Sequence, residues 1–221
     1  MRKLVCGIDE AGRGPVIGPL VIGCVVLNDE GREELRRLNV RDSKKVAKPR
    51  REALELKIKD LAIEYRIARI QPNEIDWMRK KESLNLIEAR KIAELIMSLE
   101  NSPQRIIVDA VDIVADNYKT RIISCINSMN DEFRIPELIS EHKADDNHLE
   151  VSAASILAKV ERDREIELLK EELGDFGSGY PSDAITQEFI KECVRNGNLP
   201  DCVRRSWNSL DKSKQTSLSE F

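Results

Sequence analysis

The chain has 221 residues, of which 41% are hydrophobic and 34% are charged. The hydrophobic proportion excludes a disordered chain, and the length is sufficient for one domain with a sizeable core and a small C-terminal extension. The formal net charge is only −4, which argues against a broad non-specific nucleic-acid binder, although 36 Lys and Arg residues leave room for a local basic cleft.

The cysteines and histidines do not have the spacing that is typical of a metal site. The five cysteines form no CxxC pair, and there are only two histidines, so structural zinc is not expected. Free thiols in a reducing compartment are favoured, with a Cys193–Cys202 disulfide as the alternative. No secretory leader and no apolar run of membrane-spanning length is recognised, so a cytoplasmic location is predicted.

The first part of the chain predicts antiparallel strands followed by helices. Apolar segments at 3–9 and 18–27 predict two strands, and the glycines and prolines between them predict a turn joining antiparallel neighbours. Helices are predicted at 30–38 and from Pro49 to about residue 62, followed by a strand at 63–70. The second helix is expected to bury four apolar side chains: Leu54, Leu56, Ile58 and Leu61.

Strands and helices alternate in the rest of the chain. A mostly helical stretch at 72–98 precedes a strand at 104–109, a helix at 115–129, a strand at 137–141 and a long helix at 149–173. A glycine-rich loop then leads to a last helix, and a polar tail follows; these lie at 174–180, near 183–195 and from about 208.

This order predicts an α/β fold, with a mixed five-stranded sheet flanked by helices and a helical C-terminal region. The predicted domains are consecutive. They comprise an α/β domain at 1–173, a helical region at 174–207 packed on it, and a flexible tail at 208–221.

Acidic residues follow three of the predicted strands. Asp9 and Glu10 end the first strand, Asp109 ends the strand at 104–109, and Asp145 follows the strand at 137–141. Functional groups of open α/β sheets gather beyond the carboxyl ends of strands, so we expect the four carboxylates to meet. Oxygen ligands favour Mg²⁺ or Mn²⁺. Two such ions, ~3.5–4 Å apart, could activate a water and stabilise the leaving oxygen in phosphodiester cleavage.

Each of these acids also has a structural interpretation. Asp109 could cap a helix N-terminus, and Asp145 or Asp146 could cap the long helix. Asp112 competes with Asp109 as a ligand. Acids at three strand ends together favour the metal site over a set of unrelated caps.

The run Asp9-Glu10-Ala11-Gly12-Arg13-Gly14, with Gly18-Pro19, resembles the opening motif of the ribonuclease HII family, the type 2 ribonucleases H. Further blocks follow in the family's order: Asp42-Ser43-Lys44-Lys45, Val108-Asp109, His142-Lys143-Ala144-Asp145, the run at 153–160, the run at 177–183 and Arg205-Ser206-Trp207. The blocks extend from residue 5 to about residue 207, and it is their ordered set that is specific. Among the relatives, the archaeal type is the one expected.

This resemblance implies a ribonuclease H-like fold and an endonuclease. Such an enzyme cuts the RNA strand of RNA/DNA hybrids and single ribonucleotides embedded in duplex DNA, leaving 5′-phosphate and 3′-hydroxyl ends. Roles in ribonucleotide removal and primer processing follow, and a monomer is expected. The resemblance makes Asp9, Glu10, Asp109 and Asp145 the metal ligands and gives neither Asp112 nor Asp146 such a position.

The resemblance also indicates which residues would recognise the substrate. The backbone of Gly12, Arg13 and Gly14 is implied to contact the ribose 2′-hydroxyl, the group that distinguishes RNA from DNA, and Tyr180 to stack at the junction. Without the resemblance, Tyr180 would be interpreted as a packing residue. Further contacts with the substrate are expected from Lys44, His142, Lys143, Ser155, Lys159 and Arg205. A solvated helix face is the alternative for Lys159 and for the nearby Arg162 and Arg164. Arg204 and Trp207 are expected to help hold the DNA strand, with anchoring of the C-terminal helix as the alternative for Trp207.

The last seven residues carry a separate pattern. Gln215, Leu218 and Phe221 have the Gln-x-x-Leu-x-x-Phe spacing of peptides that bind sliding clamps. Leu218 and Phe221 would lie on one side of a helical turn and fill an apolar pocket, with Gln215 hydrogen-bonded beside it. The predicted partner is a clamp of archaeal or eukaryotic type; the alternative is a tail that folds back and packs Phe221.

Two other functions remain open from the sequence. One is a ribonuclease H-like metal nuclease that acts on DNA, such as a resolvase or transposase, which the turn at 12–14 and Tyr180 argue against. The other is a non-catalytic binding module recruited by a clamp, which Mg²⁺-dependent turnover would exclude.

Overall fold

The computed structural model describes residues 3–40 and 47–207. The strands are β1 Val5–Ala11, β2 Leu20–Leu27, β3 Glu64–Ile70, β4 Arg105–Asp109 and β5 Glu137–Glu141. The helices are α1 Asp29–Arg37, α2 Lys48–Leu61, α3 Pro72–Met78, α4 Leu84–Met97, α5 Ala115–Met129, α6 Ala144–Asn147, α7 Leu149–Leu173 and α8 Ala184–Arg195. Four predicted site residues lie outside the described ranges: Lys44, Gln215, Leu218 and Phe221.

The five strands form one mixed sheet in the order β3-β2-β1-β4-β5. Strand β1 is antiparallel to β2 and parallel to β4, and β4 is parallel to β5. The predicted α/β class and mixed five-stranded sheet are therefore confirmed. Strand β2 is buried at every position, which explains why it is continuously apolar instead of alternating with polar residues.

Three local predictions differ from the structure. Strand β1 continues to Ala11, so Asp9 and Glu10 precede its last residue instead of ending it. The stretch at 72–98 divides into two helices, because Ser83 caps a new helix by accepting the Leu86 N–H. Leu56 is 63% exposed, so its predicted burial is wrong; Leu54 and Ile58, one turn apart, form the buried side of α2.

Two strand glycines bring helix α7 onto the sheet. A Cβ atom at Gly7 would lie 2.1 Å from the carbonyl carbon of Glu150, and one at Gly23 would lie 2.3 Å from the Ala154 oxygen. Any side chain at either position would overlap the backbone of the helix and push it away from the sheet, with a loss of packing. The helix presents small residues to the sheet here, with Ala153 and Ala154 fully buried.

The chain forms two compact units that are interleaved along the sequence. The first consists of residues up to 11 together with 21–68 and 83–161, and the second of 12–20, 69–82 and residues from 162 onward. The predicted domains, in contrast, are consecutive segments. Each unit has its own buried cluster: one lies between α1, α2 and α7, and the other surrounds Phe176.

The five cysteines are all free thiols, as favoured from the sequence. Within the described part of the chain, no helix combines the length and the apolar character needed to cross a bilayer.

Candidate active site

The carboxyl ends of three parallel strands meet at one edge of the sheet in the first unit. The register pairs Ile8 of β1 with Val108 of β4, and the next residues along these strands are Asp9 and Asp109. Asp109 is itself paired with Glu141 at the end of β5. Sequence reasoning thus placed the acids correctly at neighbouring strand ends. We call Asp9, Glu10, Asp109 and Asp145 the acid cluster.

The side chain of Asp9 is only 6% exposed. Burial raises the pKa of Asp9 to about 7, and the nearby charges of Asp109 and Asp145 act in the same direction. The nearby Ser155 hydroxyl and the Glu10 N–H, which donates to Oδ1 at 2.8 Å, act in the opposite direction and lower the pKa. A carboxylate in these surroundings is stabilised in its charged form by a bound cation.

Asp109 and Asp145 are placed by the short helix α6. The Oδ1 atom of Asp109 accepts a hydrogen bond of 2.7 Å from the N–H of Ala144, the first residue of α6. Asp109 thus satisfies an N-terminal donor of α6. It does not cap α5, the next helix along the chain, whose N-cap residue is Val114. Asp145 lies within α6 and is 2% exposed, and its carbonyl oxygen accepts a hydrogen bond from the Ser152 hydroxyl.

Glu10 leaves the strand on the other side from Asp9. Successive side chains of a strand point to opposite faces, and Asp9 shares the α7 face with Gly7 and with its register partner Gly23. Glu10 is half-buried. For both residues to bind one group, that group must lie at the edge of the sheet, where the two faces meet.

The donor set of the acid cluster fits a hard divalent cation. All four side chains offer carboxylate oxygens, which Mg²⁺ and Mn²⁺ prefer, and a bound cation would offset the like charges that contribute to the raised pKa of Asp9. Within the described residues, no three His, Cys, Asp or Glu side chains converge closely enough to hold an ion as they stand. Binding of an ion by all four would therefore require their side chains to turn toward it.

The neighbouring acids outside the cluster are committed to other partners. Asp112 is buried, accepts a hydrogen bond from Asn85, and lies 3.2 Å from Arg121 Nη2. Glu141 accepts hydrogen bonds from Asn147 and from His148, the latter at 2.8 Å, and the His148 bond lowers the pKa of Glu141. A third acid, Asp146, is exposed. The partners of Asp112 agree with its ranking below Asp109 as a candidate ligand.

His142 and Lys143 are exposed beside the acid cluster, as expected of residues that contact a substrate. The Nε2 atom of His142 lies 3.2 Å from the Ile113 oxygen. Lys143 has a left-handed backbone with φ of 56°, a conformation that is uncommon for a non-glycine residue.

The two predicted contacts on helix α7 are less accessible. Ser155 is 1% exposed, and its hydroxyl acts to lower the pKa of the nearby Asp9. Lys159 is half-buried, and its Nζ atom is buried. The solvated-face interpretation of Lys159 is therefore wrong.

The second unit contains the turn at Gly12–Gly14, which we call the glycine turn. Gly12 has a φ of 86°, and a Cβ there would lie 2.6 Å from the Pro19 oxygen. A Cβ at Gly14 would lie 3.4 Å from Cε1 of Tyr180. The structure thus brings together Gly14 and Tyr180, which are 166 residues apart in the sequence and which the resemblance linked.

Tyr180 is held at the tip of an ordered loop. Its ring is 41% exposed and lies 5.4 Å from the guanidinium carbon of Arg162. The loop is fixed by the Asp183 carboxylate, which accepts the Ser178 N–H at 2.6 Å, and by Thr186 Oγ1, which accepts the Gly179 N–H at 3.0 Å. One face of the ring is thus supported by a cation while the side chain stays accessible.

Two arginines of this unit differ from what the sequence indicated. Arg162 is 9% exposed and burial lowers its pKa, so it is not on a solvated helix face. Arg204 is fully buried, so the expectation that it holds a DNA strand is wrong. Its guanidinium lies 4.8 Å from the Trp207 ring.

Arg205, in contrast, is exposed and lines a cavity of about 510 Å³ in the second unit. The cavity also presents Arg79, Lys80 and the 69% exposed ring of Trp77. Asp76 holds the adjoining chain by accepting the N–H groups of Arg205 at 2.7 Å and of Ser206 at 2.9 Å. Cations beside an accessible aromatic ring are suited to a nucleic-acid strand.

Sequence reasoning missed several supporting residues of these sites. Gly7 and Gly23 lie inside strands, where a glycine signals close approach of another backbone, and this signal was available in the sequence. Arg162 and Arg204 gave no such signal, because neither spacing nor composition distinguishes a buried arginine from an exposed one.

The sequence and the fold match one family throughout. The family model described as "Ribonuclease HII" matches residues 6–210. A ribonuclease HII of Thermococcus sibiricus is 42% identical over 210 residues, which are 95% of this chain and 90% of that protein. The crystal structure of ribonuclease H2 from Pyrococcus horikoshii OT3 superposes with a TM-score of 0.87 at 42% identity, covering 96% of this chain and 98% of that one.

A second solved structure shows a ribonuclease HII from Archaeoglobus fulgidus in a complex with PCNA. Its ribonuclease chain matches with a TM-score of 0.83 at 40% identity, over 93% of this chain and 95% of that one.

Proposed function

The chain belongs to the ribonuclease HII family of metal-dependent hydrolases with ribonuclease H activity. On that premise we propose that it is an endonuclease that cuts both the RNA strand of RNA/DNA hybrids and single ribonucleotides embedded in duplex DNA. Its biological role would be ribonucleotide removal and primer processing.

The observation that carries this proposal is the placement of Asp9, Asp109 and Asp145 near one end of the sheet, where burial first, and then the charges of Asp109 and Asp145, raise the pKa of Asp9 to about 7. Purely structural carboxylates are usually paired with a cationic side chain, as Asp112 is with Arg121. A cluster of like charges raises the free energy of the fold, and such clusters are typical of functional sites.

The acid cluster would hold the ions. Asp9, Glu10, Asp109 and Asp145 supply the oxygens, and one or two Mg²⁺ or Mn²⁺ ions, when bound, provide a Lewis acid for the scissile phosphate and lower the pKa of a water. Hydrolysis would leave a 5′-phosphate and a 3′-hydroxyl, and it requires no protein nucleophile.

The second unit would select the substrate. The glycine turn lacks side chains at Gly12 and Gly14, so its backbone can approach a ribose closely enough to hydrogen-bond the 2′-hydroxyl. Tyr180 adjoins Gly14 and offers an accessible ring to the next sugar. Only Ala11 separates the acid cluster from this turn in the sequence.

Arg205 would contact a phosphate of the substrate from the cavity that it lines. Arg79 and Lys80 add positive charge there, and Trp77 offers a stacking surface. His142 and Lys143 would add contacts next to the acid cluster.

The decisive experiment compares three duplexes of one sequence in Mg²⁺: all-DNA, DNA with one ribonucleotide, and an RNA/DNA hybrid. We expect cleavage of the second on the 5′ side of the ribonucleotide, cleavage of the hybrid, and none of the all-DNA duplex. Cutting of all-DNA would instead support the DNA nuclease, and absence of cutting with retained binding would support the non-catalytic module.

We further propose that the tail binds a sliding clamp. The support is the spacing of Gln215, Leu218 and Phe221 together with the complex that a 40%-identical relative forms with PCNA. These residues lie outside the described part of the chain. We expect a Leu218→Ala, Phe221→Ala double variant to lose binding to a recombinant archaeal clamp, measured by calorimetry, while Ser217→Ala binds normally. Cleavage of a short duplex without the clamp should be equal in all three proteins; undiminished clamp binding by the double variant would contradict the proposal.

A further inference from the structure

Arg204 is a buried cation whose side chain reaches the backbone of the glycine turn. It is 0% exposed and has the largest of the fully buried side chains in the described chain. Nη2 donates to the Gly12 oxygen at 2.6 Å, Nη1 to the Arg13 oxygen at 3.2 Å, and Nε to the Gly18 oxygen at 3.0 Å. Burying a guanidinium costs several kcal/mol unless its donors are satisfied, so this arrangement is maintained against a substantial penalty.

Trp207 completes the set of contacts. Its Nε1 donates to the Gly14 oxygen at 3.3 Å, and its ring lies 4.8 Å from the Arg204 guanidinium. The carbonyl groups of all three residues of the glycine turn are therefore directed toward Arg204 and Trp207.

The orientation of these carbonyls fixes the orientation of two amides. The C=O and N–H groups of a planar trans peptide point in opposite directions. The N–H of Arg13 is therefore opposite the Gly12 oxygen, and the N–H of Gly14 is opposite the Arg13 oxygen. Both amides point away from Arg204, and donors are what a hydroxyl oxygen requires.

We propose that Arg204 is a positioning residue that orients the amides of Arg13 and Gly14 toward the ribose 2′-hydroxyl and thereby sets the preference for ribonucleotides. The inference rests on the proposed function of the glycine turn. Arg204 itself stays buried and touches no substrate.

The local chemistry explains why an arginine is needed. A turn containing two glycines has many accessible conformations, so its shape must be imposed from outside. The planar guanidinium carries five donors in a fixed fork, which can engage separated carbonyls at once, whereas a lysine ammonium acts as a single point.

The segment that carries Arg204 is itself anchored. Asp76 accepts the N–H groups of Arg205 and Ser206, and the Arg79 guanidinium lies 5.0 Å from the Trp207 ring. The orientation of the glycine turn is thus supported by Asp76 of α3 and by Arg79, which follows that helix, as well as by Arg204.

The test measures affinity for two duplexes that differ in a single 2′-hydroxyl. Asp9→Asn is included in every protein so that the ribonucleotide duplex is not cut, and binding is followed by fluorescence anisotropy. We compare Arg204 with Arg204→Lys and Arg204→Met, with Arg195→Met, an exposed arginine of the same unit, as the matched control.

Loss of the two oriented donors should lower the ribonucleotide preference roughly 10-fold in Arg204→Met. Arg204→Lys should lose less, affinity for the all-DNA duplex should change less than about 2-fold, and Arg195→Met should match the parent. An unchanged preference in folded Arg204→Met would overturn the inference, and so would an equal loss of affinity for both duplexes, which indicates a merely structural role.

If Arg204→Met does not fold, as judged by its thermal transition, Arg204→Lys decides by the same two criteria. A parent protein with no ribonucleotide preference would refute the proposed function instead, so the two failures are distinguishable.

Discussion

The acid cluster and the glycine turn are fixed in the protein by different means. The acid cluster lies on regular elements: the register of β1 with β4 aligns Asp9 with Asp109, and α6 presents Asp145. The glycine turn has no such ladder, and its carbonyls are held by a side chain 192 residues away. A site on strands is secured by the backbone of the sheet, whereas a site on a turn depends on individual side chains. Substitutions in the two regions should therefore have different consequences.

The largest effect is expected in the acid cluster, where a substitution should abolish cleavage without lowering the stability of the fold. Asp9→Asn should lower cleavage of a single-ribonucleotide duplex at least ~10³-fold, because it removes a ligand that supports several kcal/mol of transition-state stabilisation. Its melting temperature should stay equal or rise, because Asn carries no charge to desolvate. Initial rates and thermal melts measure both. Asp146→Asn, an exposed acid next to the cluster, is the control and should keep full activity.

A matched pair of glycine substitutions, one in strand β1 and one in the glycine turn, should distinguish effects on stability from effects on cleavage. Gly7→Ala should destabilise the fold by about 3 kcal/mol or more, because its methyl group meets the backbone of Glu150. Gly14→Ala should cost less than ~1 kcal/mol, because its methyl group makes ordinary contact with Tyr180 at 3.4 Å, yet it should reduce cleavage by filling the approach to the sugar. Denaturant unfolding and cleavage rates give the two readouts. Equal losses of stability would contradict the distinction.

A smaller effect is expected at the cavity of the second unit. Arg205→Ala should weaken binding to ribonucleotide and all-DNA duplexes alike, and it should reduce the slope of log affinity against log salt by about 1, since one phosphate contact is lost. The slope is obtained from titrations at several salt concentrations. Arg195→Ala removes the same charge from an exposed position elsewhere in the unit and should leave the slope unchanged.

The smallest effect concerns the loop that carries Tyr180. Hydrogen bonds from Ser178 lower the pKa of Asp183 to about 2, with a further contribution from the Ile185 N–H. This value lies below the roughly 3.9 of an unfolded Asp, so its stabilisation is fully present above about pH 4 and is lost as the pH falls through about 2. The melting temperatures of the parent and of Asp183→Asn should differ by a constant amount above pH 5 and converge between pH 4 and pH 2. A constant difference throughout that range would show that the charge of Asp183 contributes nothing.

The same contrast explains what could be predicted from the sequence. Strand periodicity and the acids behind each strand were sufficient to place Asp9, Asp109 and Asp145 at neighbouring ends, because parallel strands align their termini. Helix α7 was predicted with its observed limits, 149–173. The predicted burial of Leu56 was wrong, because this hydrophobic residue lies on the solvent-exposed side of α2.

The supports of the glycine turn could not be predicted. The family resemblance indicated the turn and Tyr180, but Arg204 and Arg162 appeared as ordinary charged residues. Their burial depends on contacts between segments distant in the sequence, which a local pattern does not encode. Arg204 was assigned to the DNA strand together with Arg205 and Trp207, whereas the structure directs its guanidinium inward.

The separation of Arg204 from Gly12 also has a consequence during synthesis. At 5–20 residues per second, a ribosome adds the intervening 192 residues in roughly 10–40 s. Throughout that interval the nascent chain contains the first two carboxylates but lacks the guanidinium that shapes the turn beside them. The ordering of the turn is therefore a late event in biogenesis, and it follows translation of almost the whole chain.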